Sequence, residues 1–269
     1  MWVEITSNSS KMCKHVKALH LKNYRDKKKE YVIEGFRLVK DALESNAPVK
    51  SIMVSDSFVS NAISEEILKE ISGRNISIYK VSDNILKDIS DTETPQGIVG
   101  VVAAPQQTIK DIHICGDSLF VLCDCVQDPG NLGTIIRTAD AAGADGVILS
   151  KGCVDVYNPK VVRSTMGAIF HFPVIKVDNL TETILYLKQR NLSIVSGYLE
   201  AADYHFDIDM KKGTVIVIGN EANGISSEVI SLSDYLIKIP IPGRAESLNA
   251  AIAAGILIYE AVRQRMKKS

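Results

Sequence analysis

The chain carries the stretch Ile239-Pro-Ile-Pro-Gly-Arg-Ala-Glu-Ser-Leu-Asn249, which runs directly into Ala-Ala-Ile-Ala-Ala-Gly-Ile-Leu-Ile-Tyr-Glu260. Its two prolines fix the backbone φ angle and remove two amide donors, so a rigid loop is expected here. Ser247 can cap the helix that follows, whereas Asn249 is unfavourable inside a helix and needs another role. The alanines and glycine after Asn249 leave little bulk on the helix. The stretch therefore predicts a loop that holds a ligand, followed by a slim helix that another segment can approach closely.

Length and composition allow one large domain or two modest ones, each with its own core, within 269 residues. A hydrophobic content of 46% and a charged content of 23% are typical of a globular protein, which argues against a disordered chain. No uncharged apolar run reaches the ~18 residues that a transmembrane helix needs. The first residues lack the basic and apolar regions of a signal peptide. A cytoplasmic protein with no membrane contact is expected.

Charge is distributed unevenly along a chain whose net charge is only −1. Residues 1–40 hold ten Lys/Arg and four Asp/Glu, a balance of +6, which leaves −7 for the remainder. The basic cluster from Lys22 to Lys29 is a candidate phosphate-contacting surface, with Tyr24 available to stack. The alternative is a solvated helix, and charge alone leaves both open. The candidate nucleic-acid-binding residues are Arg25, Lys27, Lys28 and Lys29.

The five cysteines predict neither a disulfide framework nor a metal site. Their number is odd and no export signal precedes them, so reduced thiols are expected. Cys123 and Cys125 would point to the same face of a strand, and both are predicted to be buried thiols. A zinc site would need a second suitably spaced pair, and the sequence has none.

Hydrophobic patterning divides the chain into two α/β parts. Residues 1–104 alternate strands with helices and form the first domain, residues 105–116 are a proline-containing polar linker, and residues 117–269 form the second domain. Strands of the second domain read as apolar runs without polar alternation, which is typical of a parallel sheet covered by helices on both faces. The strands are expected at 31–35, 49–54, 76–81, 97–102, 119–124, 146–149, 174–177, 193–196, 214–218 and 236–239.

Two further motifs follow predicted strands of the second domain, where ligands of parallel sheets bind. Asn131 lies near the start of a helix that ends at Gly143, and Arg137 lies within that helix. The arginine can extend its charge to solvent or present a planar fork to a phosphate. Gly219 and Glu221 follow the other strand, where the missing side chain of the glycine would let a ligand approach, although a plain turn explains the same residues. Neither dinucleotide-binding nor Walker-type glycine spacing occurs.

Together these motifs resemble those of the SpoU branch of the SPOUT RNA methyltransferases, the TrmH-like 2′-O-ribose methyltransferases. The matching residues are Asn131 with Arg137, then Ile218-Gly-Asn-Glu221, then Ile239-Pro with Leu248-Asn249, in that order. Tyr31-Val-Ile-Glu-Gly-Phe-Arg37 and Pro95-Gln-Gly-Ile-Val99 are similar to the family's N-terminal substrate-binding domain, which resembles ribosomal protein L30e.

The resemblance implies an L30e-like α/β domain followed by a SPOUT α/β-knot domain, with a parallel sheet, a C-terminal trefoil knot and a homodimer whose active site uses both subunits. It implies S-adenosylmethionine (SAM) as the methyl donor and RNA as the partner, without a metal. By motif position, the methyl-donor contacts are Gly219, Ile239 and Leu248. The catalytic set is Arg137, Asn131, Glu221, Ser247 and Asn249.

The implied reaction is transfer of the SAM methyl group to a ribose 2′-hydroxyl, most naturally in 23S ribosomal RNA. Arg137 would grip an adjacent phosphate, because a guanidinium is too basic to accept the proton. Glu221 or water would then take that proton. Two alternatives stay open: a methyltransferase for transfer RNA, and a non-catalytic RNA-binding or ribosome-assembly protein that retains the fold.

Overall fold

The computed structural model describes residues 2–61, 63–71 and 73–266. Residue 1 of the expected first domain and residues 267–269 of the expected second domain lie outside these ranges. The chain forms two compact units. One contains the residues up to Gln106 together with Tyr157–His171, and the other contains Gln107–Val156 and the residues from Phe172 onward.

The first unit is built on a five-stranded mixed sheet in the order β1-β4-β3-β5-β2. Strand β5 is antiparallel to both of its neighbours, and the other pairs are parallel. The four strands expected in this half are confirmed, and β1 is an edge strand that the patterning did not reveal. The strands are β1 (Val3–Ile5), β2 (Glu30–Glu34), β3 (Val49–Ser55), β4 (Ser77–Val81) and β5 (Ile98–Ala103). The helices are α1 (Lys11–Leu19), α2 (Lys22–Lys28), α3 (Phe36–Glu44), α4 (Asp56–Val59), α5 (Ile63–Ile71) and α6 (Asp83–Ile89).

A later segment completes this first unit. Helix α8 (Pro159–Ser164) lies within Tyr157–His171 and contacts β2. The ring of Tyr157 stacks on the fully buried ring of Tyr31, with the centroids 4.5 Å apart. A 2.9 Å ion pair joins Arg163 to Asp91. The unit is therefore assembled from two stretches that are distant in the sequence.

The second unit is built on a seven-stranded sheet in which every pairing is parallel, in the order β10-β12-β9-β11-β6-β7-β8. The expected parallel α/β architecture is confirmed, and so are the six strands expected here. They are β6 (Leu119–Cys123), β7 (Gly146–Leu149), β8 (Val174–Lys176), β9 (Ser193–Gly197), β11 (Thr214–Ile218) and β12 (Tyr235–Lys238), joined by the short β10 (Asp203–Tyr204). The helices are α7 (Pro129–Ala141), α9 (Leu180–Lys188), α10 (Ser227–Leu232) and α11 (Ala250–Arg265), and short 3-10 turns occur at Ile109–Asp111 and Ala168–Phe170.

Strand order reverses between β6 and β11, which places a switch point at the centre of the second sheet. Both strands are buried along their whole length, as their continuous apolar sequences require. From β6 the chain proceeds outward to β7 and β8, and it then returns to build the other side. Ligands of open α/β sheets bind beyond the carboxyl ends of strands at such a point. A ligand is therefore expected to bind at the loops after β6 and β11.

Helix α11 packs against α7 and β11 through small side chains. Ala251, Ala254 and Ala261 are buried on its inner face, and Gly255 lies beside Thr138 of α7. Ile252 and Tyr259 are seven residues apart and remain exposed on the outside. The expected close approach of another segment is thus observed, with α7 as that segment.

Two local expectations change in the structure. Strand β6 ends at Cys123, and Cys125 lies beyond it with a φ of 58°, so the two thiols do not share a strand face. Cys123 is buried, which raises the pKa of its thiol well above the ordinary value. Cys125 is only half-buried. All five cysteines are free thiols. Within the described residues, no helix is long and apolar enough to cross a membrane.

Candidate functional site

A cavity of about 510 Å³ opens in the second unit, beyond the carboxyl ends of β9, β11 and β12. Six of the eight residues expected to bind the methyl donor or act on the ribose line this cavity. They are Gly219, Glu221, Ile239, Ser247, Leu248 and Asn249. The structure therefore brings the second and third motifs together around one space. The volume lies within the range of about 300–1,000 Å³ that is usual for small-molecule sites.

Gly219 is required by the backbone that folds back over it. A β-carbon at this position would lie 2.3 Å from the carbonyl carbon of Gly224 and 2.5 Å from the amide nitrogen of Ile225. Asn220 and Gly224 form an isolated antiparallel bridge that closes the turn. The sequence suggested that the missing side chain admits a ligand. The structure adds a more immediate reason, since any side chain would collide with the turn itself.

Asn220, which sequence reasoning passed over, fastens this turn to the loop after β6. Its side-chain nitrogen donates to the carbonyl oxygen of Cys125 at 2.8 Å. Its side-chain oxygen accepts from the backbone amides of Ala222 and Asn223. One amide side chain thereby holds both its own turn and the neighbouring motif. Its position two residues after the end of a buried strand was the available signal.

A chain of hydrogen bonds joins all three motifs. The side-chain nitrogen of Asn249 donates to Oδ1 of Asn131 at 2.9 Å, and Nδ2 of Asn131 donates to Oε1 of Glu221, also at 2.9 Å. Glu221 further accepts from the backbone amides of Gln127 and Asp128, each at 3.0 Å. Asn131 is buried, so its amide side chain has a fixed orientation. The three polar residues form one connected unit.

Glu221 is held as a carboxylate by this network. Burial on its own raises the pKa of the group, but the hydrogen bonds from Asn131 and from the Gln127 and Asp128 amides outweigh that effect and keep the pKa below its ordinary value. An ionised carboxylate that already accepts three hydrogen bonds is a weak proton acceptor. Its arrangement suits positioning better than general-base catalysis.

Helix caps at the site differ from those expected. Asn249 caps α11, because its side-chain oxygen accepts from the amides of Ala251 and Ile252. Ser247 is therefore not the cap; it lies two residues earlier, exposed on the cavity wall. Helix α7 is capped by Asp128, and Asn131 lies within its first turn. Gly143, with a φ of 68°, follows that helix as expected.

Arg137 lies apart from the cavity. It is exposed on α7 and does not belong to the cavity lining. It lies six positions after Asn131, which turns its direction by about 120° around the helix axis relative to that residue. No ion pair or hydrogen bond joins its side chain to another residue in the described part of the chain. The guanidinium is therefore available to an external group.

Residues at the end of β9 and in the loop before α11 complete the cavity wall. Tyr198 and Leu199 follow β9, and the hydroxyl of Tyr198 donates to Glu200 at 3.0 Å. Lys238 and Glu246 add two charges to the lining. Tyr198, Leu199 and Lys238 lie outside the three motifs, and the parallel placement of β9 and β12 reveals them, whereas Glu246 lies inside the third motif stretch.

The basic segment of the first unit is partly corrected by the structure. Arg25 is buried, with 5% of its surface exposed, and Nη1 donates to the carbonyl oxygens of Leu19 and His20. It holds the turn between α1 and α2, so it is removed from the candidate RNA-binding set. The exposed members of that set are Lys27, Lys28 and Lys29. Tyr24 is half-buried, hydrogen-bonds to His15, and lies below the ammonium group of Lys28.

Comparison with known proteins accounts for both parts of the chain. The SpoU rRNA Methylase family matches residues 118–259, and the MRM3-like substrate binding domain matches residues 11–100. The chain is 36% identical to the 23S rRNA (guanosine(2553)-2′-O)-methyltransferase RlmP of Bacillus subtilis (strain 168), covering 95% of this chain and 98% of that protein. It is 34% identical to the 23S rRNA (uridine(2479)-2′-O)-methyltransferase of Streptomyces viridochromogenes, covering 97% and 92%.

A solved structure agrees over nearly the full length. The rRNA methyltransferase from Sinorhizobium meliloti, crystallised with AdoMet, another abbreviation for SAM, superposes with a TM-score of 0.88 at 34% identity, covering 98% of each chain. The family profile, the sequence relatives and the fold agree with the three motifs, of which the second and third line the cavity and the first is hydrogen-bonded to both through Asn131. The chain belongs to the SpoU rRNA methylase family.

Proposed function

We propose that this protein is a SAM-dependent RNA 2′-O-ribose methyltransferase that acts on 23S ribosomal RNA. The observation that carries the proposal is the Asn249–Asn131–Glu221 chain at the edge of the cavity. It places a fixed polar group next to a space of suitable volume. Relatives whose names specify 23S rRNA match both units of the chain, including the part similar to a substrate-binding domain.

The cavity fits the methyl donor in volume and in lining. Apolar side chains of Ile239 and Leu248 would flank its adenosine and sulfur-bearing portions, and the turn at Gly219 would supply backbone groups. When bound, SAM supplies an activated methyl group on a sulfonium. The chain's own task is then to orient a ribose 2′-hydroxyl toward that methyl and to exclude competing water.

Asn131, Glu221 and Asn249 would position the ribose, with Ser247 on the adjacent wall. Because the oxygens of Glu221 are already hydrogen-bonded, we assign it positioning and assign the released proton to solvent water. Arg137 would hold the neighbouring phosphate as a bidentate clamp and favour the developing alkoxide.

A homodimer belongs to the proposal because Arg137 does not line the cavity of its own subunit. A second copy would bring its arginine to this site. Exposed apolar side chains of the second unit offer a surface for such an interface: Leu199, Tyr204, Phe206, Ile252 and Tyr259.

The C-terminal trefoil knot is also proposed. The knot is supported by Arg265, the last residue of α11, whose guanidinium donates to the carbonyl oxygens of Asp117, Met210 and Lys212. These hydrogen bonds hold the end of α11 against Asp117, near the start of the expected catalytic domain.

The substrate-binding domain, expected at residues 1–104, would dock folded RNA through Lys27, Lys28 and Lys29. Residues 105–116 would link it to the catalytic domain, expected at residues 117–269. Such docking reads backbone and shape, since A-form grooves conceal base edges. A cytoplasmic location is proposed on the strength of the bacterial ribosomal RNA relatives.

The decisive experiment maps 2′-O-methyl groups in total RNA from a deletion strain and from the same strain carrying the gene. Loss of one methyl group in 23S rRNA, restored by the wild-type gene and not by an Arg137→Ala variant, is expected. Loss in a transfer RNA would establish the transfer RNA alternative. SAM binding without any missing methyl group would support the non-catalytic alternative.

A further inference from the structure

Three charged side chains line the cavity, and their hydrogen-bonding states differ. Glu221 is engaged by Asn131 and by two backbone amides. Lys238 lies with its Nζ 5.3 Å from the ring centroid of Tyr204. Glu246 lines the cavity two residues after Arg244 and directly before Ser247. Within the described residues, neither Lys238 nor Glu246 forms an ion pair or a side-chain hydrogen bond. The cavity thus presents one positive and one negative charge that have no ionic partner.

The two forms of the methyl donor differ by one charge. SAM carries an ammonium, a carboxylate and a sulfonium, with a net charge of +1, whereas the product S-adenosylhomocysteine (SAH) is a neutral thioether with a net charge of zero. In the transfer, the bond from sulfur to the methyl carbon breaks, its electron pair stays on sulfur, and the ribose oxygen bonds to that carbon and releases a proton. A carboxylate near the sulfur therefore has a partner before the reaction and none after it.

The motif geometry indicates which end of the ligand Glu246 would face. The transferred methyl must point toward the ribose, and the ribose-positioning residues Asn249 and Glu221 lie at one edge of the cavity. Glu246 lies three residues before Asn249 in the same loop, and both residues line the cavity. The sulfonium is the positive group nearest to the transferred methyl.

We propose that Glu246 selects SAM over SAH by pairing with the sulfonium charge, so that the spent product leaves the site readily. This inference rests on the proposed function. Glu246 acts in cofactor specificity, while Lys238 is available to the carboxylate that both ligands share. Because Glu246 is exposed, screening limits the effect to a moderate one.

The test is calorimetric titration of SAM and of SAH into the purified full chain and its variants. Glu246→Gln keeps the size of the side chain and removes its charge. We expect its Kd for SAM to rise about three- to tenfold, with the Kd for SAH changed less than about twofold. Wild-type affinity for SAM should fall more steeply with added salt than the affinity for SAH, because both ligands share the carboxylate contact and only SAM has the sulfonium contact.

Two control variants sharpen the result. Lys238→Gln should leave the ratio of the two Kd values unchanged, since both ligands carry the carboxylate. Glu182→Gln removes an exposed carboxylate on α9 that is outside the cavity lining, and it should alter neither Kd. A Glu246→Gln variant whose two Kd values change equally, or not at all, overturns the assignment while leaving the proposed function intact. A wild-type protein that binds neither ligand overturns both.

Discussion

At the residue scale, Arg137 and Glu221 have distinct proposed roles, and that of Arg137 is to bind a phosphate. Its planar fork would hold a phosphate at two points, whereas lysine offers a point charge. We expect Arg137→Lys to lower the methyl-transfer rate by more than about tenfold, while the Kd for SAM stays unchanged because the side chain does not line the cavity. Single-turnover assays with excess enzyme measure the rate directly. Near-wild-type turnover would exclude the bidentate clamp.

The ionisation of Glu221 connects the site to stability. Its pKa is held below the ordinary value, so the carboxylate network stabilises the folded state fully above the unfolded-state pKa and loses that effect as pH falls through the folded-state pKa. We expect the difference in free energy of unfolding between wild type and Glu221→Gln to be constant near neutral pH and to shrink under acidic conditions. Urea titrations at several pH values test this. A difference that grows on acidification would contradict the lowered pKa.

At the element scale, the start of α11 combines a cap with a contact between motifs. Asn249→Ala removes the side-chain acceptor for two amides and the donor to Asn131. We expect a loss of about 0.5–2 kcal/mol in the free energy of unfolding. Asn249→Asp keeps the acceptor and loses the donor, so it should retain most stability while methyl transfer falls. Ser247→Ala should leave the free energy of unfolding unchanged. If Ser247→Ala destabilised the protein as much as Asn249→Ala, Asn249 would not be the residue that caps α11.

The turn after β11 has no room for a side chain. Gly219→Ala places a β-carbon 2.3 Å from backbone of Gly224, which cannot move without opening the turn. We expect a destabilisation of about 1–3 kcal/mol, together with loss of SAM binding. Gly243→Ala is the matched control, since nothing lies within 4 Å of its β-carbon position. Thermal unfolding and titration of SAM compare the two. Equal behaviour would show that the close approach at Gly219 is unimportant.

At the scale of the whole molecule, the excess of positive charge lies in residues 1–40, within the first unit. Changing Lys27, Lys28 and Lys29 together to Gln should weaken RNA binding and make the slope of log affinity against log salt shallower by up to about 2–3. Arg25→Gln should instead lower stability and leave the slope unaltered, because this arginine holds two backbone carbonyls within the unit. Filter-binding at a series of salt concentrations separates the two effects. An unchanged slope in the triple variant would locate the RNA contacts elsewhere.

The sequence by itself determined the α/β class, the parallel second sheet and the motif residues that follow β6, β11 and β12. These features depend on local periodicity and on residue types at strand ends, which a single stretch of chain contains. Charge counting also separated the basic residues 1–40 from an acidic remainder.

Only the tertiary structure decided how these pieces meet. The contact between Asn131 and Asn249 joins residues 118 positions apart, and no local pattern encodes such a pairing. Local patterns also did not reveal the burial of Arg25, the collision that makes Gly219 necessary, or the grouping of Tyr157–His171 with the first unit. Each of these depends on a partner supplied by a distant segment or by a turn whose path the sequence leaves open. The charges of Lys238 and Glu246 acquired significance only when folding placed both residues in the lining of one cavity.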